Sequence, residues 1–309
     1  MFFKSYGPIK EPLNEVNKEI EKIFKNKYFP NFPPLYKEGK RLRAAINLFT
    51  SNAFENYDKN IIRIATSLEM IHLSSLIHDD IVDGAEIRRN LPSMNKLLGN
   101  HSAVLMGDYL FSRAMHFISL IKNPLIFKEV SRASFLMCEG EIIEEFTERE
   151  KTFNEKYYFN LIYRKTGALF ESASVLGAIY RNKMNKNYRG FGRKFGILYQ
   201  LFDDIIDFLE GEDISQGKVT LPIIYTKSKI FKYFPEFKNK KDEFEIEKIK
   251  EIVIKNKGVE KTLKKGENFL REIRKILKEF DFLLKKFLND FLDEIHVYTL
   301  EKINKFKEA

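Results

Sequence analysis

Residues 72–83 read HLSSLIHDDIVD and residues 199–207 read YQLFDDIID, so the chain carries two copies of Asp-Asp-x-x-Asp, each inside a strongly apolar stretch. The copies comprise Asp79, Asp80 and Asp83, and Asp203, Asp204 and Asp207; we call them the first and second pentads. On a helix, positions four apart lie on one face, about 6 Å apart along the axis. The pattern therefore predicts two apolar helices, each with carboxylates on one face.

The clustered carboxylates predict a metal site. Asp79 with Asp83, and Asp203 with Asp207, are spaced to bracket a hard cation, and oxygen ligands suit Mg²⁺. Like charges in an apolar helix repel and are costly to desolvate unless something positive meets them. Two such clusters facing each other across a helical bundle would hold several Mg²⁺ ions and orient a diphosphate leaving group. The alternative for either copy is an exposed acidic helix end.

The rest of the chain also reads as helical, because apolar residues recur with helical spacing and no sustained alternation marks strands. Prolines at 30, 33 and 34 end a first helix predicted over 12–29, and a helix restarts near Lys40. Further helices are predicted over about 59–83, 101–122, 126–147, 154–180, 187–209 and 218–230, with several more in the C-terminal third. We predict an all-α fold of antiparallel helices. No linker-like stretch interrupts residues 1–309, so we expect a single domain.

The formal net charge of +9 invites a nucleic-acid interpretation, but its distribution argues against one. Residues 227–309 hold 22 basic and 16 acidic side chains, mixed as on a solvated helical face. No apolar run approaches the roughly 18 residues that a membrane span needs. Residues 1–10 lack a signal-peptide pattern, and the single cysteine, Cys138, cannot form an intrachain disulfide. We expect a cytoplasmic protein with no nucleic-acid partner and at most peripheral membrane contact.

Cationic residues near the pentads suit phosphate ligands. Lys40, Arg41 and Arg43 follow the proline break, and Arg88 and Arg89 follow the first pentad. Arginine binds phosphate oxygens in a bidentate manner, whereas lysine acts as a point charge. Each cluster alone could be an ordinary solvated patch. His72, which alone could be a satisfied core histidine, shares a helical stripe with Ser75, Asp79 and Asp83, and Lys165, Thr166 and Gln200 add donors on apolar helices.

Together these residues resemble the isoprenyl diphosphate synthases, or polyprenyl synthetases, which are head-to-tail trans-prenyltransferases. The resemblance covers roughly residues 38–225. Its motifs appear in family order: GKRLR at 39–43, HLSSLIHDDIVD at 72–83, RRNLPS at 88–93, GDYLF at 107–111, EGE at 139–141, KTGALF at 165–170, YQLFDDIID at 199–207 and GKVTLP at 217–222. The resemblance implies an all-α bundle around a deep central cavity, usually a homodimer, with three Mg²⁺ ions per active site.

The resemblance also implies roles for single residues. Metal ligation falls to Asp79, Asp83, Asp203 and Asp207, and the catalytic set comprises both pentads with Lys165. Isopentenyl diphosphate is held by Lys40, Arg43, His72 and Arg89. The allylic diphosphate is surrounded by Arg88, Lys165, Thr166, Gln200 and Lys218. The expected activity is condensation of these two substrates with release of diphosphate.

Two serines bear on product length. Ser75 and Ser74 stand four and five positions before Asp79, where short-chain members of the resembled family commonly place an aromatic residue. Small side chains there would leave the cavity open below the first pentad. We therefore expect a medium- or long-chain polyprenyl product, with geranylgeranyl or farnesyl diphosphate synthesis as the alternative.

One departure from the family pattern concerns residues 208–217, FLEGEDISQG, where most members carry a longer loop with an additional Gly-Lys. This shortening leaves open a weakly active subunit of a heteromeric synthase. A second rival, a class I terpene cyclase, would not need the residues assigned to isopentenyl diphosphate. Departures such as Asn90, where glycine usually follows Arg-Arg, are expected to be tolerated.

Overall fold

The computed structural model describes residues 3–25, 39–88, 91–147, 154–234 and 242–308, and these residues are almost wholly helical. A 3₁₀ segment, Lys4–Ile9, precedes the first helix. The α-helices are α1 Lys10–Phe24, α2 Leu42–Thr50, α3 Lys59–Val82, α4 Met94–Ser119, α5 Pro124–Phe146, α6 Glu155–Ile162, α7 Ala168–Tyr180, α8 Lys186–Glu210, α9 Glu212–Ser215, α10 Leu221–Ile224, α11 Lys227–Tyr233, α12 Glu243–Lys255, α13 Gly258–Leu277 and α14 Phe282–Glu308. The predicted all-α fold is confirmed.

Within the described residues, one antiparallel pair of two-residue strands, Ile87–Arg88 and Leu91–Pro92, lies between α3 and α4. Side chains that accept from backbone N–H groups begin several helices, as Asp58 does for α3. In the part of the chain that the structure describes, no helix is both long and apolar enough to cross a membrane.

The helices predicted over 59–83, 126–147 and 187–209 match the structure within a few residues. The first helix begins at Lys10, and residues 26–29 of its predicted range lie outside the described residues. The helix predicted over 154–180 is interrupted by a turn at Tyr163–Gly167.

The continuous helix predicted over 218–230 is wrong, because the segment forms two short helices, α10 and α11. Pro222 lies in the first turn of α10, which begins at Leu221, and the Thr226 hydroxyl donates to the carbonyl of Pro222 at 3.0 Å just after the helix ends. The helix predicted over 101–122 begins earlier, at Met94, and carries a kink at Gly99 with φ +79°.

The chain divides into two compact units, and the single-domain organisation stays a prediction. One unit comprises Met1–Ser134 with Ser172–Tyr188, and the other comprises Phe135–Glu171 with Arg189–Ala309. In the first unit α3 packs against α1, α2 and α4. Gly107 permits this approach to α4, because a Cβ there would lie 2.2 Å from Nε2 of His78.

The second unit has an aromatic and aliphatic core that supports α8. The ring of Phe195 packs on Phe170 at 5.2 Å and on Phe291 at 5.4 Å between centroids. A second cluster joins Tyr158 and Ile162 of α6 to Leu201 of α8. Helix α8, which carries the second pentad, is therefore held on two sides by buried apolar side chains.

Between α6 and α7 the chain makes a π-helical turn, Tyr163–Gly167, in which the Ala168 N–H donates to the carbonyl of Tyr163. Such wide turns occur often at functional sites. This one carries Lys165 and Thr166, two of the predicted substrate-binding residues, on a short segment between two helices.

Gly196 allows α8 to pack against this turn. A Cβ at residue 196 would lie 2.7 Å from Cα of Gly167 and 2.9 Å from Cβ of Phe170, which cannot move without their backbones. We expect Gly196→Ala to lower the free energy of unfolding by about 1–3 kcal/mol, as overpacking does. Chemical denaturation would measure the change.

The matched control is Gly190→Ala on the same helix. A Cβ at residue 190 would meet only the mobile end of the Ile276 side chain, at 3.3 Å. Alanine is the better helix former, so this variant should be neutral or stabilised. Equal destabilisation of both variants would contradict the close packing assigned to Gly196.

Candidate active site

The first pentad occupies the last turn of α3. Asp80 is buried, Asp79 is half-buried and Asp83 caps the helix with an exposed side chain. Arg88 approaches the buried carboxylate, with Nε 2.6 Å and Nη2 2.5 Å from Oδ1 of Asp80. A guanidinium on one pentad carboxylate brings positive charge to this helix end, as the sequence requires.

The basic segment before α2 is fixed to α1 and α3. Arg41 has a left-handed backbone with φ 52° and donates from Nε to Oδ1 of Asn17 at 2.9 Å. Its guanidinium also lies 3.8 Å from the buried carboxylate of Glu69 on α3. This contact joins the segment containing Lys40 and Arg43 to α3, the helix of the first pentad. His72 follows Glu69 by three residues and so lies near it on the same face of α3.

The two serines before the first pentad differ in their surroundings. Ser74 is buried, and its hydroxyl donates to the carbonyl of Gly107 on α4 at 2.8 Å. Ser75 is half-buried, and its hydroxyl donates within α3 to the carbonyl of His72 at 2.9 Å. A larger side chain at residue 74 would therefore displace α4, whereas the hydroxyl of Ser75 is not bonded to that helix.

The second pentad lies in the last two turns of α8. Asp204 is 5% exposed, whereas Asp203 and Asp207 are half-buried. Burial raises the pKa of Asp204 to about 6, although hydrogen bonds from Tyr158 and Gln200 oppose the shift. Burial, and then the charges of Asp203 and Asp204, raise the pKa of Asp207 to about 8. The carboxylates thus repel one another, which is the condition that a bound cation would relieve.

Further acidic residues surround this pentad. Carboxylate oxygens of Asp207, Glu210 and Glu212 all lie within 4.8 Å of one another, close enough to share one ion. Asp213 on α9 is buried, and burial together with the charges of Asp204 and Asp207 raises its pKa well above the usual range. Lys218 opposes this shift, which places its positive charge near Asp213.

Lys165 lies beside the acidic residues of α5. Its Nζ is 2.8 Å from Glu141 and also pairs with Glu144. Burial lowers the pKa of Lys165, but the charges of Glu144 and Glu141 outweigh this and raise it above its usual value. The ammonium group is therefore charged and held in place at physiological pH.

Thr166 and Gln200 are joined by a hydrogen bond. The Thr166 hydroxyl donates to Oε1 of Gln200 at 2.6 Å, and Nε2 of Gln200 donates to Oδ1 of Asp204 at 2.7 Å. The buried hydroxyl of Tyr158 donates to the other oxygen of Asp204.

The structure thus groups the predicted residues within each unit. Lys40, Arg43, His72, Arg88 and the first pentad belong to the first unit; Lys165, Thr166, Gln200, Lys218 and the second pentad belong to the second. Arg89 lies outside the described residues. The facing of the two pentads stays a prediction.

Sequence reasoning missed Tyr158, Glu144 and Asp213. Tyr158 precedes Lys165 by seven positions, which is two helical turns, and this spacing was the available signal. Asp213 lies in the short stretch after the second pentad. From the sequence alone, this stretch was notable only for lacking the additional Gly-Lys of the family pattern.

The raised pKa of Asp207 predicts a pH dependence of stability in metal-free protein. The folded-state value of about 8 exceeds the ordinary value of 3.8, so the folded state binds more protons between about pH 4 and pH 8. Stability contributed by the protonated form is therefore lost as the pH rises through this window. We expect the Tm measured in EDTA to fall from pH 6 to pH 8.

Two comparisons isolate the source of that fall. In Asp207→Asn the side chain cannot ionise, so the fall should shrink, and in wild type saturating Mg²⁺ should oppose it. A fall of the same size in Asp207→Asn would assign the effect to other groups.

Comparisons with known proteins identify the family of this chain. The model of the polyprenyl synthetase family matches residues 32–254. A geranylfarnesyl diphosphate synthase from Methanosarcina mazei is 37% identical over 196 residues, covering 62% of this chain and 66% of that protein. A heptaprenyl diphosphate synthase component 2 from Bacillus subtilis is 32% identical over 246 residues, covering 72% of this chain and 69% of that protein.

The chain thus spans just under two thirds of the length of the first of these relatives. Among solved structures, a decaprenyl diphosphate synthase from Rhodobacter capsulatus superposes with a TM-score of 0.83 at 26% identity. That superposition covers 94% of this chain and 97% of the other.

Proposed function

Because the chain belongs to the polyprenyl synthetase family, we propose that it is a trans-prenyltransferase that condenses isopentenyl diphosphate with an allylic prenyl diphosphate. The observation that carries the proposal is the second pentad, in which Asp204 is linked by hydrogen bonds through Gln200 to Thr166, the neighbour of the charged Lys165. Lys218 acts on Asp213, a buried carboxyl group on which the charges of the same pentad also act. The carboxylates can bind a metal ion, and the fixed lysines can bind phosphate oxygens. Together they suit a ligand that carries both, such as a metal-bound diphosphate.

Mg²⁺ fits the donors present. Asp79, Asp83, Asp203 and Asp207 offer hard oxygen ligands. Burial and the charges of neighbouring carboxylates raise the pKa of Asp207, and a bound cation would offset both effects. We propose three Mg²⁺ ions per active site. Their positive charge would stabilise a departing diphosphate.

The side chains of the chain then divide the work of the reaction. Arg88, Lys165, Thr166, Gln200 and Lys218 bind and orient the allylic diphosphate, and Lys40, Arg43, His72 and Arg89 bind isopentenyl diphosphate. As the allylic carbon–oxygen bond breaks, the fixed cations stabilise the charge that develops on the leaving group. The isopentenyl double bond attacks the allylic cation, and the released diphosphate accepts the proton lost from the new chain.

We expect a medium- or long-chain all-trans product. Small side chains at Ser74 and Ser75 support this, since neither would block a growing chain below the first pentad. The similar proteins named above are synthases of geranylfarnesyl, heptaprenyl and decaprenyl diphosphates.

A second candidate is a weakly active subunit of a heteromeric synthase. One relative is named as component 2 of a heptaprenyl synthase, and the turn after the second pentad is short in this chain. The chain that leaves α8 makes only the four-residue α9 between Gly211 and Gly217, both with positive φ.

The deciding experiment incubates the purified chain with Mg²⁺, labelled isopentenyl diphosphate, and farnesyl or geranylgeranyl diphosphate. A ladder of products longer than the primer, abolished by EDTA or Asp79→Ala, supports the synthase. No elongation by folded protein with either primer would favour the subunit.

We propose a homodimer, supported by an apolar stripe on α5. Phe135 and Ile142, 63% and 58% exposed, stand seven residues apart and so share one helix face. Light scattering should give the mass of two chains for wild type and of one chain for Phe135→Ser/Ile142→Ser. A monomeric wild type would contradict the homodimer.

A further inference from the structure

Tyr158 touches the second pentad directly. Its hydroxyl donates to Oδ2 of Asp204 at 2.5 Å, and both side chains are buried, at 2% and 5% exposure. Burial and the charge of Asp204 raise the pKa of Tyr158 well above its ordinary value, so the phenol keeps its proton and remains a donor. No role follows for this tyrosine from the motifs that mark the rest of the site.

The other oxygen of Asp204 also has a protein donor. Nε2 of Gln200 donates to Oδ1 at 2.7 Å, and Oε1 of the same amide accepts from the Thr166 hydroxyl at 2.6 Å. Three hydrogen bonds therefore run from α6 through α8 to the π-helical turn. Linked buried hydrogen bonds of this kind fix the groups they join.

Asp204 also differs from its neighbours in access. Asp203 and Asp207, four positions apart, share a face of α8 and are half-buried. Asp204 lies about 100° round the helix from Asp203, on the side that meets α6. A cation arriving from solvent reaches the outer two carboxylates before the middle one.

We propose that Tyr158 is a positioning residue that holds Asp204 as an anchor, so that metal ligation in the second pentad falls to Asp203 and Asp207. The same three hydrogen bonds hold the turn carrying Lys165 in register with those two ligands. This inference rests on the proposed function, because it assigns roles within metal-assisted prenyl transfer.

The test compares Tyr158→Phe with Tyr157→Phe in the full chain. Phenylalanine keeps the ring of Tyr158 and removes only the hydroxyl that holds Asp204. Tyr157 is its neighbour on α6, and its hydroxyl lies 3.4 Å from the carbonyl of Ile143 and also hydrogen-bonds Thr147. The probe is Mn²⁺ with inorganic pyrophosphate, titrated by electron paramagnetic resonance, so no prenyl substrate is needed.

We expect Tyr158→Phe to weaken Mn²⁺ binding roughly 10- to 100-fold, as loss of a partner that orients a metal site does. The kcat for elongation should fall by a similar factor with the KM for isopentenyl diphosphate unchanged. Tyr157→Phe should stay within about twofold of wild type in both measurements. Circular dichroism in EDTA verifies that each variant folds.

Asp204→Asn separates an anchor from a ligand. If Asp204 is the anchor, this variant weakens Mn²⁺ binding about as much as Tyr158→Phe, and the double variant is no worse than either single one. Wild-type Mn²⁺ affinity in folded Tyr158→Phe would overturn the proposal. Complete loss of one bound ion in Asp204→Asn alone would also overturn it.

Failure of this inference and failure of the proposed function give different results. If the wild type elongates a primer but Tyr158→Phe binds Mn²⁺ normally, the positioning role fails and the synthase stands. If the wild type binds Mn²⁺ but never elongates a primer, the synthase fails whatever the variant does.

Discussion

Asp207→Asn is expected to lower kcat for prenyl transfer by about two to three orders of magnitude, the scale of losing one electrostatic contact to charge that develops in a transition state. Burial, and then the charges of Asp203 and Asp204, raise the pKa of the Asp207 carboxyl group to about 8. Asparagine keeps the shape of the side chain but removes the charge that would bind a cation. Steady-state assays at saturating Mg²⁺ measure the loss.

The same substitution should make the metal-free protein more stable at pH 8. A neutral amide does not repel the neighbouring carboxylates, so the Tm in EDTA should rise while activity falls. This opposition separates a loss of function from a loss of folding.

Asp290→Asn, on the exposed surface of α14, is the matched control and should change neither activity nor Tm. Activity of Asp207→Asn within a fewfold of wild type would remove Asp207 from the proposed metal site. An equal loss in Asp290→Asn would instead point to a general effect of net charge.

Ser75→Phe is expected to shorten the product by several isoprene units. Ser75 is half-buried, and its hydroxyl bonds only within its own helix, so a phenyl ring can occupy the space beside α3 one turn before Asp79. A rigid ring placed there would stop a growing apolar chain sterically. Chromatography of the dephosphorylated products measures their lengths.

Two variants bracket this prediction. Ser75→Ala removes the hydroxyl without adding bulk and should leave product length unchanged. Ser74→Phe should instead destabilise the fold, because Ser74 is buried against Gly107 of α4. A wild-type product distribution from Ser75→Phe would contradict the open cavity inferred from the two serines.

The sequence predicted the long helices well because their apolar residues repeat with the helical period over several turns. The predicted ranges 59–83 and 187–209 agree closely with Lys59–Val82 and Lys186–Glu210. The single helix predicted over 218–230 was wrong because one proline and one threonine hydroxyl set helix boundaries that apolar periodicity does not indicate. Apolar spacing indicates a buried face, whereas helix ends depend on single hydrogen bonds.

The candidate site divides in the same way. Asp203, Asp207 and Lys165 could be selected from the sequence because a charge in an apolar helix costs free energy unless a partner or ligand compensates it. The contact between Tyr158 and Asp204 could not, because the two residues lie 46 positions apart and meet only when α6 packs on α8. Contacts of that separation depend on tertiary packing, which a single sequence does not display.

The π-helical turn limits how many residues the protein can gain or lose between α6 and α7. Removing one residue between Tyr158 and Glu171 would convert the wide turn toward ordinary α-helix and rotate one flank by about 100° against the other. Tyr158 would then lose Asp204, or Phe170 would leave the core around Phe195. Insertions and deletions should therefore be rare in this segment. They should accumulate instead where glycines with positive φ flank a short connection, as between Gly211 and Gly217.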